Sequence, residues 1–198
     1  DFCLSRGLGD VYKRQVYELD GGRDTDPNAV SFAQGYNQAI WGDTTIPEPA
    51  GKTNSQNMKL VAESFAAGWD NAKGAATFQT AYTANKQINA TVEANDGLGN
   101  AVIQVLKNSG AKPKTIPTTG QDATLQGMEN ILQGWQCGSV YKAIYLEAQD
   151  AVALATVLRA GQTPPTALVN GTTAPPSGVS GSQQPASLLT PIWVDATT

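Results

Sequence analysis

Short β-type runs alternate with helical runs through most of this chain, and that alternation limits its fold more than any other feature. Residues 16–20 (VYELD), 59–63 (KLVAE), 90–94 (ATVEA), 114–118 and 139–141 read as strands. Between them, apolar residues recur at helical spacing. Ala29, Phe32, Ala33, Tyr36 and Ile40 make a first set, and Ala72, Ala75, Ala76, Phe78 and Tyr82 a second. Further helices are expected from Gly97 to Asn108, from Thr124 to Leu132, and over 145–159, the last with Leu146, Ala148, Ala151, Val152, Ala155 and Leu158. Strands that alternate with helices make βαβ units and a largely parallel sheet. Ligands of such sheets bind outside the carboxyl ends of the strands. The rule selects the loops after Asp20, after Glu63, after Ala94 and over 120–124.

The chemistry available is restricted. The 198 residues contain no histidine, which removes the commonest general base and metal ligand. No GxSxG, P-loop or HExxH motif is present. Asp96 and Asp122 could be imagined as a glycosidase carboxylate pair, but no spacing sets them across a cleft. Cys3 and Cys137 lie in no metal-type spacing, so neither a zinc site nor a disulfide framework is expected. The net charge of −4 and the lack of a basic run argue against nucleic acid. No apolar run reaches the ~20 residues of a membrane span. No catalytic residue, metal or cofactor is expected.

Five residues stand where a polar or aromatic group would meet a ligand. Asn95 and Asp122 each sit where a strand gives way to a helix. An amide and a carboxylate suit hydroxyls that both donate and accept; both residues also suit ordinary turns and caps. Trp69 opens a helix just after a strand, where an indole face could pack on sugar C–H groups or simply lie half-buried. Lys142 ends the last short strand, as a cationic donor or a solvated lysine. Asn28 begins the first helix, as a hydrogen-bond donor or a cap, with Asp26 the other capping residue and Pro27 in the first turn.

Residues 1–15 (DFCLSRGLGDVYKRQ) have no periodicity, and 10–15 resemble the translation of a transposase adapter used in sequencing libraries. They are expected to be an artefactual tail, with native sequence beginning near Val16 and a signal peptide upstream of the break. After Gly161 six of the eleven prolines fall between residues 163 and 191, so irregular chain is expected there, with a final strand over 188–194.

In order and spacing, Glu18-Leu-Asp-Gly-Gly22, Glu93-Ala-Asn-Asp-Gly97, Thr119-Gly-Gln-Asp-Ala123, Gly134-Trp-Gln-Cys-Gly-Ser-Val-Tyr-Lys142 and Leu188-Leu-Thr-Pro-Ile192 resemble the type I periplasmic binding proteins. The resemblance runs from Val16 to Asp195 and is strongest to the D-xylose-binding group. It implies an α/β, Rossmann-like three-layer sandwich with a mostly parallel sheet, and mainly the second of the family's two lobes. It divides the chain into that lobe (16–142), a segment of a truncated first lobe (143–187), and a hinge crossing with the final strand (188–198). By the resemblance, the helix over 145–160 packs in the first lobe and exposes an apolar face here. The aspartate–arginine pair of the family's first lobe has no counterpart in the chain.

The implied function is the substrate-binding component of a bacterial ABC sugar importer, a monomer and not an enzyme. It would hold a monosaccharide, xylose first, between two lobes and deliver it to the permease, touching the membrane complex only peripherally. By the resemblance Asn95, Asp122 and Lys142 bond sugar hydroxyls, Trp69 stacks on the ring, and Asn28 matches an asparagine at a helix start. The location would be periplasmic, or extracellular and lipid-anchored. The alternative is the sugar-sensing domain of a LacI-type transcriptional regulator.

Overall fold

A computed structural model describes residues 14–173, 181 and 183–198. Of the expected artefactual tail, all but Arg14 and Gln15 lies outside the described residues. Those two begin β1 (Arg14–Asp20), where Arg14 pairs with Met58 and Gln15 with Lys59. The strand therefore starts two residues before Val16, because backbone pairing asks only for an N–H and a C=O. The chain divides into two units: one running to Val140 and taking back Trp193–Thr198, the other Tyr141–Ile192.

In the first unit β1 is the central strand, parallel to β2 (Met58–Phe65) on one side and β3 (Ile88–Glu93) on the other. Helix α1 (Pro27–Trp41) connects β1 to β2, and α2 (Asn71–Ala84) carries the chain from β2 past β1 to β3. The direction of winding reverses between β1 and β3, which makes their carboxyl ends the switch point of the sheet. Side chains on β1 alternate between two cores. Tyr17 and Leu19 face α2 and α3 (Asp96–Asn108), packing with Phe78, Leu98, Val102, Ile103 and Leu106. Val16 faces the other way, with Trp41 of α1 and Leu60 of β2.

Residues 114–118 do not form the expected strand. Pro113 and Pro117 withhold two ladder donors, and Lys114 takes a left-handed backbone (φ 63°). The segment still runs beside β3: Thr91 N donates to the Pro117 carbonyl (2.9 Å), and Glu93 N to Thr119 Oγ1 (2.9 Å). Isolated parallel bridges from Thr118 to Gln136 and from Gln121 to Val140 join it to the chain around β4 (Gly138–Tyr141). Helix α4 (Leu125–Leu132) lies between these two segments in sequence, and β4 pairs with β7 (Ile192–Asp195). Cys137 is disulfide-bonded, contrary to the reading of the cysteine spacing; Cys3 lies outside the described residues.

Helix starts are fixed by short polar side chains. Asp26 caps α1, accepting from Asn28 N (2.8 Å), so Asp26 rather than Asn28 is the cap. Asp70 caps α2 with bonds from Ala72 N (2.8 Å) and Lys73 N (3.1 Å). Asp70→Ala is expected to cost about 1 kcal/mol in urea denaturation, the usual worth of such a cap; an unchanged midpoint would show that packing alone holds the first turn.

In the second unit α5 (Ile144–Arg159) buries no residue, and Ile144, Tyr145, Val152 and Leu158 are exposed. The proline-rich region expected to be irregular contains a short antiparallel pair, β5 (Gly171–Thr173) with β6 (Gln184–Ala186). Asn170 fastens it, donating to the Leu188 carbonyl (2.9 Å) and accepting from Leu188 N (2.8 Å).

Candidate ligand-binding site

The carboxyl ends of β1, β2 and β3 come together at one edge of the sheet. Ala66 N, just past β2, donates to the Asp20 carbonyl (3.0 Å), and Ala94 N, just past β3, donates to the Leu19 carbonyl (3.1 Å). Gly21 and Gly22 follow β1 here, and the Trp69 ring fills the space a side chain would need. A Cβ on Gly21 would stand 2.1 Å from the Trp69 ring. Trp69 is partly buried and left-handed (φ 60°), following Gly68 in the same region (φ 63°). Two successive left-handed residues turn the ring back over the glycines. Its Nε1 donates to Asp26 Oδ2 (3.1 Å), so the helix cap also orients the indole. Asn28 is exposed two residues beyond Asp26.

Asn95 and Asp122 are brought together by the loops that carry them. Asp96 N donates to the Gln121 carbonyl (2.8 Å), and Gln121 Nε2 reaches the Ala94 carbonyl (3.3 Å). Asn95 Oδ1 accepts from Leu98 N (2.9 Å) as the cap of α3. The cap and the ligand roles considered for Asn95 are therefore compatible: the oxygen serves the helix and the amide keeps its Nδ2 donors for other use. Asp122 is left-handed (φ 97°), as is Ala123 (φ 49°), and Asp122 N donates to the Val140 carbonyl (2.8 Å). Asn71, two residues after Trp69, lies against Gly97, two residues after Asn95, where a Cβ would be 3.0 Å from Asn71 Oδ1. Through Asn71 the Trp69 and Asn95 loops form one rim. Lys142 belongs to the second unit, where its carbonyl accepts from Ile144 N (2.9 Å).

Several residues that shape this edge had no signal of their own in the sequence. Asp96 is wholly buried and accepts four hydrogen bonds, from Gln136 Nε2, Ser139 Oγ, Thr124 N and Thr124 Oγ1. A group so enclosed has no access to a substrate, which removes the carboxylate pair imagined for Asp96 and Asp122. On the α1 side of the sheet lies a set of buried acids: Glu18, Asp20, Glu48 and Glu63. Arg23 bridges Asp20 (3.0 Å) and Glu63 (3.2 Å), Trp41 Nε1 donates to Glu18 (2.7 Å), and the Tyr36 hydroxyl donates to Asp20. Burial pushes the carboxyls of Glu18 and Asp20 up to about 8, with hydrogen bonds from Trp41 and Tyr36 opposing. Burial also raises Glu93, on the opposite face, to about 7. Among the described residues no group of three or more His, Cys, Asp or Glu could hold a metal ion, and no helix is long and apolar enough to cross a membrane.

Known proteins are similar to this chain in sequence or in architecture. The chain is 33% identical over 194 residues to a D-xylose-binding periplasmic protein of Escherichia coli (strain K12), covering 96% of this chain and 53% of that protein. A periplasmic solute binding protein of an ABC transporter from Actinobacillus succinogenes 130z, solved with bound D-allose, superposes with a TM-score of 0.71 at 19% identity, over 99% of this chain and 56% of its own. An ABC transporter solute binding protein from Clostridium phytofermentans, with bound β-D-glucose, gives 0.71 at 20% identity over 96% and 56%. The chain thus spans about half the length of the relatives it matches. The family model described as periplasmic binding protein domain matches residues 5–163, and with the parallel α/β sheet it places the chain in that family: this is a periplasmic binding protein domain of type I fold.

Proposed function

We propose that this chain is part of the substrate-binding component of a bacterial ABC sugar importer. The component takes a small monosaccharide, xylose-like, between two lobes in the periplasm and passes it to a membrane permease. The observation that carries the reading is the shared rim of Trp69, Asn95 and Asp122 at the sheet's switch point. The indole face suits pyranose C–H groups; the Asn95 amide and the Asp122 carboxylate suit hydroxyls. Asn28 would add a donor from the start of α1, and Lys142 a cation. The relatives agree with this chemistry: one is a D-xylose-binding periplasmic protein, and another is an ABC transporter solute binding protein with bound D-allose. No reaction step is needed: ligand favours the closed arrangement of two lobes, and the permease reads closure.

Calorimetric titration with D-xylose, D-ribose and D-glucose tests the reading. Asp122→Ala is expected to weaken the preferred sugar by about 2–4 kcal/mol, because it leaves ligand hydroxyls unpaired in a desolvated site. Uptake of none of the three sugars, or equal affinity in the variant, would sink it. Trp69→Leu should abolish a sugar-induced fluorescence change; a retained signal would assign that change to another tryptophan and remove the stacking role.

A further inference from the structure

We propose that Asp96 is the positioning residue of the sugar site: it holds the loop bearing Asp122 in its left-handed turn and so sets affinity without touching the ligand. The inference rests on the reading of Asp122 as a sugar ligand. Asp96 is completely buried at the first position of α3. Its Oδ1 accepts from Gln136 Nε2 and Ser139 Oγ (each 2.8 Å), and its Oδ2 from Thr124 N (2.7 Å) and Thr124 Oγ1 (3.0 Å).

These bonds reach the Asp122 turn from both ends. On one side the Asp96 amide donates to the Gln121 carbonyl (2.8 Å). On the other, the carboxylate takes Thr124 N directly. Between them Ser139 Oγ donates to Asp96 and accepts from Ala123 N (2.9 Å). Asp122 and Ala123 both have positive φ without being glycine, a conformation that persists only where the surroundings over-determine it. The glycines nearby show how closely the carboxylate is enclosed: a Cβ on Gly120 would stand 2.1 Å from Asp96 Oδ1, and one on Gly127 2.2 Å from Oδ2. Without the Asp96 carboxylate the turn keeps the backbone bond to Gln121 but loses the bonds to Thr124 N, Thr124 Oγ1 and Ser139 Oγ, and it can relax away from the rim with Asp122. A ligand would then have to restore the turn before binding, which appears as lost affinity.

A thermodynamic cycle tests this on the full chain, with D-xylose affinity measured by calorimetry. Asp96→Ala is expected to weaken binding at least about tenfold in the parent and less than about twofold in the Asp122→Ala background, since both changes remove one contribution. Additive losses, or an unchanged affinity in Asp96→Ala, overturn the proposal. Asp96→Asn is expected to recover part of the affinity: its carbonyl keeps Thr124 N and Thr124 Oγ1, while its NH2 gives up the bonds that Oδ1 accepts from Gln136 Nε2 and Ser139 Oγ. A variant as weak as Asp96→Ala overturns it as well. Should Asp96→Ala fail to fold, Ser139→Ala removes the hydroxyl between Asp96 and Ala123 and carries the same cycle, with an expected loss of about threefold.

If the parent takes up no xylose, or Asp122→Ala keeps the parent's affinity, the sugar reading has failed. Hydrogen exchange in the ligand-free chain then decides for Asp96 alone. The amides of Ala123 and Thr124 should exchange at least about tenfold faster in Asp96→Ala or, should that variant fail to fold, the Ala123 amide in Ser139→Ala, with the β1 amides unchanged. Equal acceleration in both places, or none, overturns the positioning role.

Discussion

Phe78→Ala is expected to destabilise the first unit by about 3–5 kcal/mol, the range for truncating an aromatic in a core that cannot collapse around the void. Phe78 is fully buried, its ring 5.2 Å from Tyr17 and 5.4 Å from Tyr82 between centroids. Tyr17 belongs to β1 and Tyr82 to α2, so the ring joins the central strand to the helix covering it. Neither neighbour can fill the space: Tyr17 is fixed in the strand, and Tyr82 lies under Lys86, whose Nζ is 4.2 Å from its ring. The change should reach the site as well, because α2 starts at Asn71, which braces the Trp69 loop against Gly97. Urea denaturation followed by tryptophan fluorescence measures the loss. A cost below about 1 kcal/mol would show that the core relaxes freely and that Phe78 is not its centre.

Much of the architecture was legible because it is written locally. The run VYELD alternates Val16, Glu18 and Asp20 with Tyr17 and Leu19, and the alternation recurs as the two faces of β1. Loops that end strands and start helices carry Asn95 and Asp122, and the rule of strand carboxyl ends selects them before any coordinates do. What could not be read depends on contacts distant in sequence. Glu18 and Asp20 look like the wet side of a half-exposed strand, yet α1 and residues 43–52 cover them, and only the fold shows it. Asp96 sits in Asn-Asp-Gly, a sequence that fits any turn. Its role emerges only when Thr124, Gln136 and Ser139 converge on it from 28 to 43 residues away. The absent strand at 114–118 is a different kind of miss: Pro113 and Pro117 were visible, and their lost donors outweigh the β-type residues between them.

The covered acids lead to the other large expectation, a loss of stability on the alkaline side. Glu18 and Asp20 on β1, Glu63 on β2 and Glu48 from the 43–52 loop share one buried space with the Tyr36 hydroxyl. Among the described residues Arg23 and Lys52 supply the positive charge; Arg23 serves Asp20 and Glu63, and Lys52 is divided between Glu48 and the half-exposed Asp43. Burial disfavours the charged carboxylates and outweighs the opposing bonds from Trp41 to Glu18 and from Tyr36 and Arg23 to Asp20, so Glu18 and Asp20 hold protons to about pH 8. In the unfolded chain each gives its proton up near pH 4. A folded pKa raised above the unfolded one adds stability that is complete below about pH 4 and declines as pH rises toward the folded value. Glu93, raised to about 7 by burial, adds to the same trend. Each unit of such a shift is worth about 1.4 kcal/mol, so the sum lost from Glu18, Asp20 and Glu93 between pH 5 and pH 9 is on the order of several kcal/mol. Urea midpoints at pH 5.5, 7.0 and 8.5 should therefore fall steadily. Glu18→Gln should flatten the fall, since the amide mimics the protonated acid and still accepts from Trp41 Nε1. At pH 8.5 it should be the more stable protein by about 1 kcal/mol or more. A parent whose midpoint is level or rises up to pH 8.5 would mean that Glu18 and Asp20 are charged in the fold, and that water or counter-ions reach the space covered by α1 and the 43–52 loop.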